Sequence, residues 1–184
     1  MKCRACLIFA VIVVSVLLCS SCVVLSLEPW FNSDVQVFEE RLLGKWGDTG
    51  EFWKFKRGPR NTYVVTLHED DGYIRYRAIL GNIEGAYYLD GVTQKVMPAD
   101  EKAPEWMYVA HFLVRLEFER DKIRLTVLNM DRLEEMIEAG YLSGAEGEDE
   151  ELVIVSSTET LQSFIAEHGQ DADLWDEEDW IPRM

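Results

Sequence analysis

Between Glu51 and Asn129 apolar and polar residues alternate with a period of two, the mark of strands with one buried face. Glu51 to Arg57 sets Trp53 and Phe55 against Phe52, Lys54 and Lys56, and Gly58-Pro59-Arg60-Asn61 follows as a turn. Thr62 to His68 places Tyr63, Val65 and Leu67 on one face. Glu69-Asp70-Asp71-Gly72 is a hairpin signal, because Asp-Gly readily adopts the positive φ of tight β-turns. Tyr73 to Leu80 then directs Ile74, Tyr76, Ala78 and Leu80 inward, with Arg75 and Arg77 outward and set to pair with surface carboxylates. Ala86 to Leu89 reads as a short apolar strand, and Gly91 to Glu105, which holds Pro98 and Pro104, as a long loop. Trp106 to Arg120 is the longest expected strand, with Tyr108, Ala110, Phe112, Val114, Leu116 and Phe118 sharing a face. Lys122 to Asn129 returns with Ile123, Leu125 and Val127 inward.

After Asn129 the period changes. Leu133, Met136 and Ile137 are spaced i, i+3, i+4, with Gly140 as the stop, which predicts a helix from Met130. Ser143 to Glu151 reads as an acidic loop and Leu152 to Val155 as a short strand. Ser157 is placed to cap a second helix that carries Leu161, Phe164 and Ile165 and ends at His168-Gly169. Successive hairpins without intervening helices predict a mainly β fold: an antiparallel meander forming a lipocalin-like barrel or half-barrel, with two short helices.

The N-terminus has another character. Lys2 and Arg4 are the only charges before Glu28, and Leu7 to Leu27 is an uncharged, mostly apolar run. A cationic start ahead of an apolar stretch has the form of a secretory signal. All four cysteines, Cys3, Cys6, Cys19 and Cys22, fall in this leader. A zinc site is excluded, because an apolar helix cannot gather four thiolates. Small residues before Cys22, Ser20 and Ser21, resemble the lipobox that directs lipidation of a cysteine, although Cys19 stands where that motif carries Leu. The run is also long enough for an uncleaved anchor, at roughly 31 Å of helix against a bilayer core of about 30 Å. The expected organisation is residues 1–21 as signal peptide or signal anchor, 22–43 as tether and lead-in, 44–170 as the β-rich domain, and 171–184 as an acidic tail. Simple secretion is the third route; lipidation and the uncleaved anchor both hold the domain at a membrane, outside the cytoplasm.

Charge narrows the partners. Lys plus Arg total 18 against 34 for Asp plus Glu, a net charge of −16. Nucleic acid is excluded as a partner, since binding phosphates requires a basic surface. Six Trp, seven Tyr and eight Phe separate the chain from disordered acidic sequences and supply a core.

Candidate chemistry is sparse. Runs of acids at 146–151 and 171–179 lack the alternating ligands and central Gly of a calcium loop, so no metal and no cofactor are expected. His111 shares a strand face with Arg115 and Glu117 and would serve a hydrolase if a carboxylate lay beside it. The aromatic set Tyr63, Tyr76, Tyr108 and Phe112 would line the interior of a cupped meander, either as a filled core or around one small apolar ligand.

Several segments carry a resemblance. Gly44-Lys45-Trp46 is similar to the Gly-x-Trp signature that opens lipocalin-type barrels. With Cys22-Val-Val-Leu-Ser-Leu-Glu-Pro-Trp-Phe, Tyr87-Tyr88-Leu89-Asp90 and Ser156-Ser157-Thr158-Glu159-Thr160, the chain resembles a family of uncharacterised bacterial envelope lipoproteins. That resemblance implies lipidation at Cys22 and carries over no catalytic residue. The expected role is therefore a membrane-tethered envelope protein that binds a small apolar ligand or a protein partner.

Overall fold

A computed structural model describes residues 24–70, 72–97, 110–147 and 152–184. Cys22 with the rest of the leader, Tyr108, and the acids at 148–151 lie outside the described residues.

The alternating segments become strands: β1 (Val24–Ser26), β2 (Gln36–Val37), β3 (Gly44–Gly47), β4 (Phe52–Arg57), β5 (Tyr63–Glu69), β6 (Gly72–Ile83), β7 (Ala86–Met97), β8 (His111–Glu119) and β9 (Lys122–Val127). Helix α1 (Met130–Glu138) follows, then β10 (Gly144–Glu146), β11 (Leu152–Ile154), helix α2 (Thr158–His168) and β12 (Ile181–Pro182). The protein is mainly β, and from β3 to β9 each strand pairs antiparallel with the next. Only β1 and β11 run parallel among the described pairs, which puts the chain start beside a strand far away in sequence. Glu84 and Gly85, both at positive φ, make the tight β6–β7 turn.

Strand β10 forms inside the stretch expected to be an acidic loop, and β7 departs further from expectation. β7 does not stop at Leu89; it runs through to Met97, where the sequence suggested a loop from Gly91. Its far half pairs with β6 (Arg77↔Val92, Arg75↔Lys95), and Thr93 is buried. Gly91 is no break either. A Cβ there would overlap the Phe112 ring, so glycine lets that ring lie on the sheet.

Adjacent residues on the central strands point into two different cores. Ile79, Tyr88 and Leu113 face one; Leu80, Leu89 and Leu116 face the other. On the first side the helices close over the sheet. Asn129 and Ser157 cap them by accepting the backbone N–H of Arg132 and Thr160, and they deliver Leu133, Met136, Leu161, Phe164 and Ile165. The stretch expected to be a lead-in joins them, with Trp30 and Phe31 almost fully buried there and Leu42 in the other core. So does part of the acidic tail: Leu174 and Trp175 are buried, and the Trp175 indole donates to the Gly169 carbonyl at 3.0 Å.

The second core lies on the other face of β3 to β9. Trp46 is 1% exposed, and its indole N–H donates to the Leu42 carbonyl at 2.9 Å. The chain end reaches this core from both directions. Ile181 pairs with Ile123 on β9, Arg183 forms a bridge to Trp46 on β3, and the Met184 N–H donates to the Lys45 carbonyl at 3.0 Å. The Arg183 guanidinium donates to the carbonyls of Leu43 and Arg41 and lies 5.0 Å from the Trp46 ring centroid.

Candidate ligand cavity

The second core is not filled. A cavity of about 300 Å³ remains between β4, β5, β6, β7, β8, β9 and the β12 segment. The strand period places its lining: Trp53 and Phe55, Val65, Tyr76 and Ala78, Leu89, Phe112 and Val114, Leu125 and Val127 each sit two residues apart or directly across the sheet. Glu51 and Glu178, both exposed, complete the lining at its edge.

Tyr76 and Phe112 meet edge to face at 5.0 Å, and Trp53 lies 6.2 Å from Tyr76. Ring pairs of these kinds, one stacked and one edge to face, add about 0.5–1.5 kcal/mol beyond their buried area and hold the wall in one arrangement. Burial, with the Glu69 charge adding to it, pushes the Tyr76 phenol up to about 12, so it stays neutral and remains a hydrogen-bond donor at any physiological pH. A bulge between Arg75 and Tyr76 re-aims the strand at this residue.

Of the four aromatic candidates, Tyr76 and Phe112 line the cavity and Tyr108 lies outside the described residues. Tyr63 is fully buried behind the wall. Its ring stacks on Phe38 and meets the edge of Phe55, and its hydroxyl accepts the Glu39 N–H at 2.7 Å and donates to the Glu39 carbonyl at 3.1 Å. Burial raises its phenol as well. Trp53 was visible as an inward aromatic in the alternation of β4. Glu178 carried no signal, because only the tail's return to β9 brings it to the cavity.

His111 does have a carboxylate beside it. Its Nδ1 lies 2.7 Å from Oδ1 of Asp90, which is 2% exposed, and Asp90 Oδ2 accepts the Trp30 N–H at 3.1 Å. The carboxylate thereby ties β7 to β8 and to the segment after β1. Ser26 lies opposite His111 in the register, but it is fully buried and its hydroxyl donates to the Glu28 carbonyl at 2.7 Å. That proton is already engaged.

The outer face of the same strands carries a feature the sequence hid. Lys45, Lys54, Thr66, Arg75 and Lys95 form one row across β3 to β7. Lys45 opposes Lys54 and Arg75 opposes Lys95 directly, an arrangement that destabilises a sheet. Contrary to expectation, neither Arg75 nor Arg77 has a carboxylate within salt-bridge distance among the described residues; Arg75 and Lys95 lie over the Tyr73 ring instead, at 5.5 and 5.7 Å. Desolvation first, then the charges of Lys54, Lys45 and Arg75, hold His68 below its ordinary value.

No group of three His, Cys, Asp or Glu side chains is placed to hold a metal among the described residues, and no described helix is long and apolar enough to cross a membrane. Compared with protein-family models, with curated proteins and with solved structures, the chain matches none.

Proposed function

We propose that this is a membrane-tethered protein of the cell envelope that holds a small, largely apolar ligand inside a lipocalin-like barrel. The observation that carries this reading is the apolar cavity of about 300 Å³, which falls at the lower end of the range of small-molecule sites. Its walls are aromatic and aliphatic, and its polar groups are few, as such sites require. A closed barrel is supported by the seam at the chain end, where Ile181 pairs with β9 while Arg183 and Met184 reach β3. An eight-stranded ring has an interior just wide enough for side chains or for one small ligand. The tether is supported by the leader, by Cys22 at its end, and by the resemblance to uncharacterised envelope lipoproteins.

Native mass spectrometry of the full chain extracted from membranes tests both parts. The expected spectrum shows a lipid-modified Cys22 and a minor population carrying a retained ligand of a few hundred daltons. A Cys22→Ala variant with unchanged mass and unchanged fatty-acid labelling would remove the lipoprotein reading and leave the uncleaved anchor. A second reading, an envelope hydrolase, has the His111–Asp90 pair in its favour. Ester hydrolysis lost in His111→Gln would support it, and activity equal in both chains would end it.

A further inference from the structure

We propose that the cavity selects an organic ammonium, a compact amine or quaternary ammonium compound, over neutral and anionic ligands of the same shape. The inference rests on the ligand-binding reading above and specifies its chemistry. Four aromatic residues, Trp53, Phe55, Tyr76 and Phe112, contribute to the wall. Aromatic faces carry negative quadrupole potential and attract a desolvated cation. The fixed angles between Trp53, Tyr76 and Phe112 present ring surface from more than one direction, as an aromatic cage does.

Charge at the cavity has one sign. Among the described residues, its only ionisable groups that are charged at neutral pH are the carboxylates Glu51 and Glu178. Partial desolvation, then the charges of Asp176 and Asp179, raises the Glu178 carboxyl, and among the described residues no cation lines the cavity beside it. The cations of β3 to β7 stand on the opposite side of the sheet, where they cannot neutralise a bound anion. A fatty-acid carboxylate would therefore meet two like charges and no partner. An ammonium meets ring faces inside and two exposed counter-charges at the cavity's edge.

The test compares three probes on the full chain in a non-ionic detergent: benzyltrimethylammonium, its uncharged isostere neopentylbenzene, and 4-phenylbutyrate. Calorimetry is expected to show the ammonium binding at least tenfold more tightly than the isostere, and the carboxylate more weakly than either. Glu178→Gln combined with Glu51→Gln should bring the ammonium close to the isostere while leaving the isostere unchanged. Phe112→Leu, which keeps the bulk and removes a ring, should weaken the ammonium more than the isostere. Equal binding of all three, or a preference for phenylbutyrate, would overturn the inference while leaving the cavity reading intact. Binding of none would overturn both.

Discussion

The two faces of the central sheet bury similar side chains and end differently. One face is closed by α1, α2 and the returning tail, and the residues they supply fill it with Leu133, Met136, Leu161, Phe164 and Trp175. The other is covered, among the described residues, by the short stretch 37–43 and by the short C-terminal strand, and about 300 Å³ remains. Apolar character therefore does not decide whether a face becomes core or container. What decides it is the number of independent elements that can bring side chains to the middle. A helix adjusts its position until its ridge fills the gap, whereas a bent sheet is fixed by its register and keeps whatever space its curvature leaves.

Truncation should most strongly separate the cavity wall from the packed residues of both faces. Trp30→Ala and Trp46→Ala, each removing a fully buried indole, are expected to cost about 3–5 kcal/mol in urea unfolding. Phe112→Ala should cost less than about 2 kcal/mol, because that ring is only half-buried and already borders open space. Equal losses at all three positions would mean that the cavity wall is packed like the filled core.

Overpacking gives a smaller contrast of the opposite kind. Leu133→Phe has no room on the helical side and should lose about 1–3 kcal/mol. Ala78→Leu extends into the cavity, so stability should change by less than about 1 kcal/mol. A larger loss at Ala78 than at Leu133 would place the unfilled space elsewhere.

The outer basic row adds the smallest effect. His68 titrates below its ordinary 6.5 in the fold, so the folded state favours the neutral ring. Its contribution is complete above the unfolded value and is lost as pH falls through about 6.5 and below. Unfolding midpoints at pH 7.5 and 5.5 should therefore differ more in the parent than in His68→Gln. Identical pH dependence in the two chains would show that neither desolvation nor the cation row holds this histidine below its ordinary value.

Much of this arrangement is legible in the order of residues alone. The period-two runs through Trp53, Tyr63, Ala78 and Leu125 give the strands and their inward sides, and the i, i+3, i+4 spacing in Leu133–Ile137 and Leu161–Ile165 gives both helices. Those signals are local, and they report which face is buried. The hidden features depend on pairs far apart in sequence. Val24–Ser26 looks like the end of an apolar leader until it meets Leu152–Ile154. Lys45, Lys54, Arg75 and Lys95 look like isolated surface cations until the register lines them up. Tyr63 and Tyr76 both point inward in the alternation of their strands, yet the Glu39 backbone engages one hydroxyl and the cavity receives the other ring. Gly91 reads as a breaker because its role, admitting Phe112, belongs to the neighbouring strand.

Xenon binding measures the central claim, that one face of the sheet holds a ligand-sized apolar cavity and the other does not. Apolar cavities of this order take up xenon. Xenon-129 NMR of the full chain should give a saturable shift that weakens in Ala78→Leu, whose longer side chain takes up part of the space, and persists unchanged in Leu133→Phe. A shift that is absent from the parent, or that survives Ala78→Leu unchanged, would contradict the account.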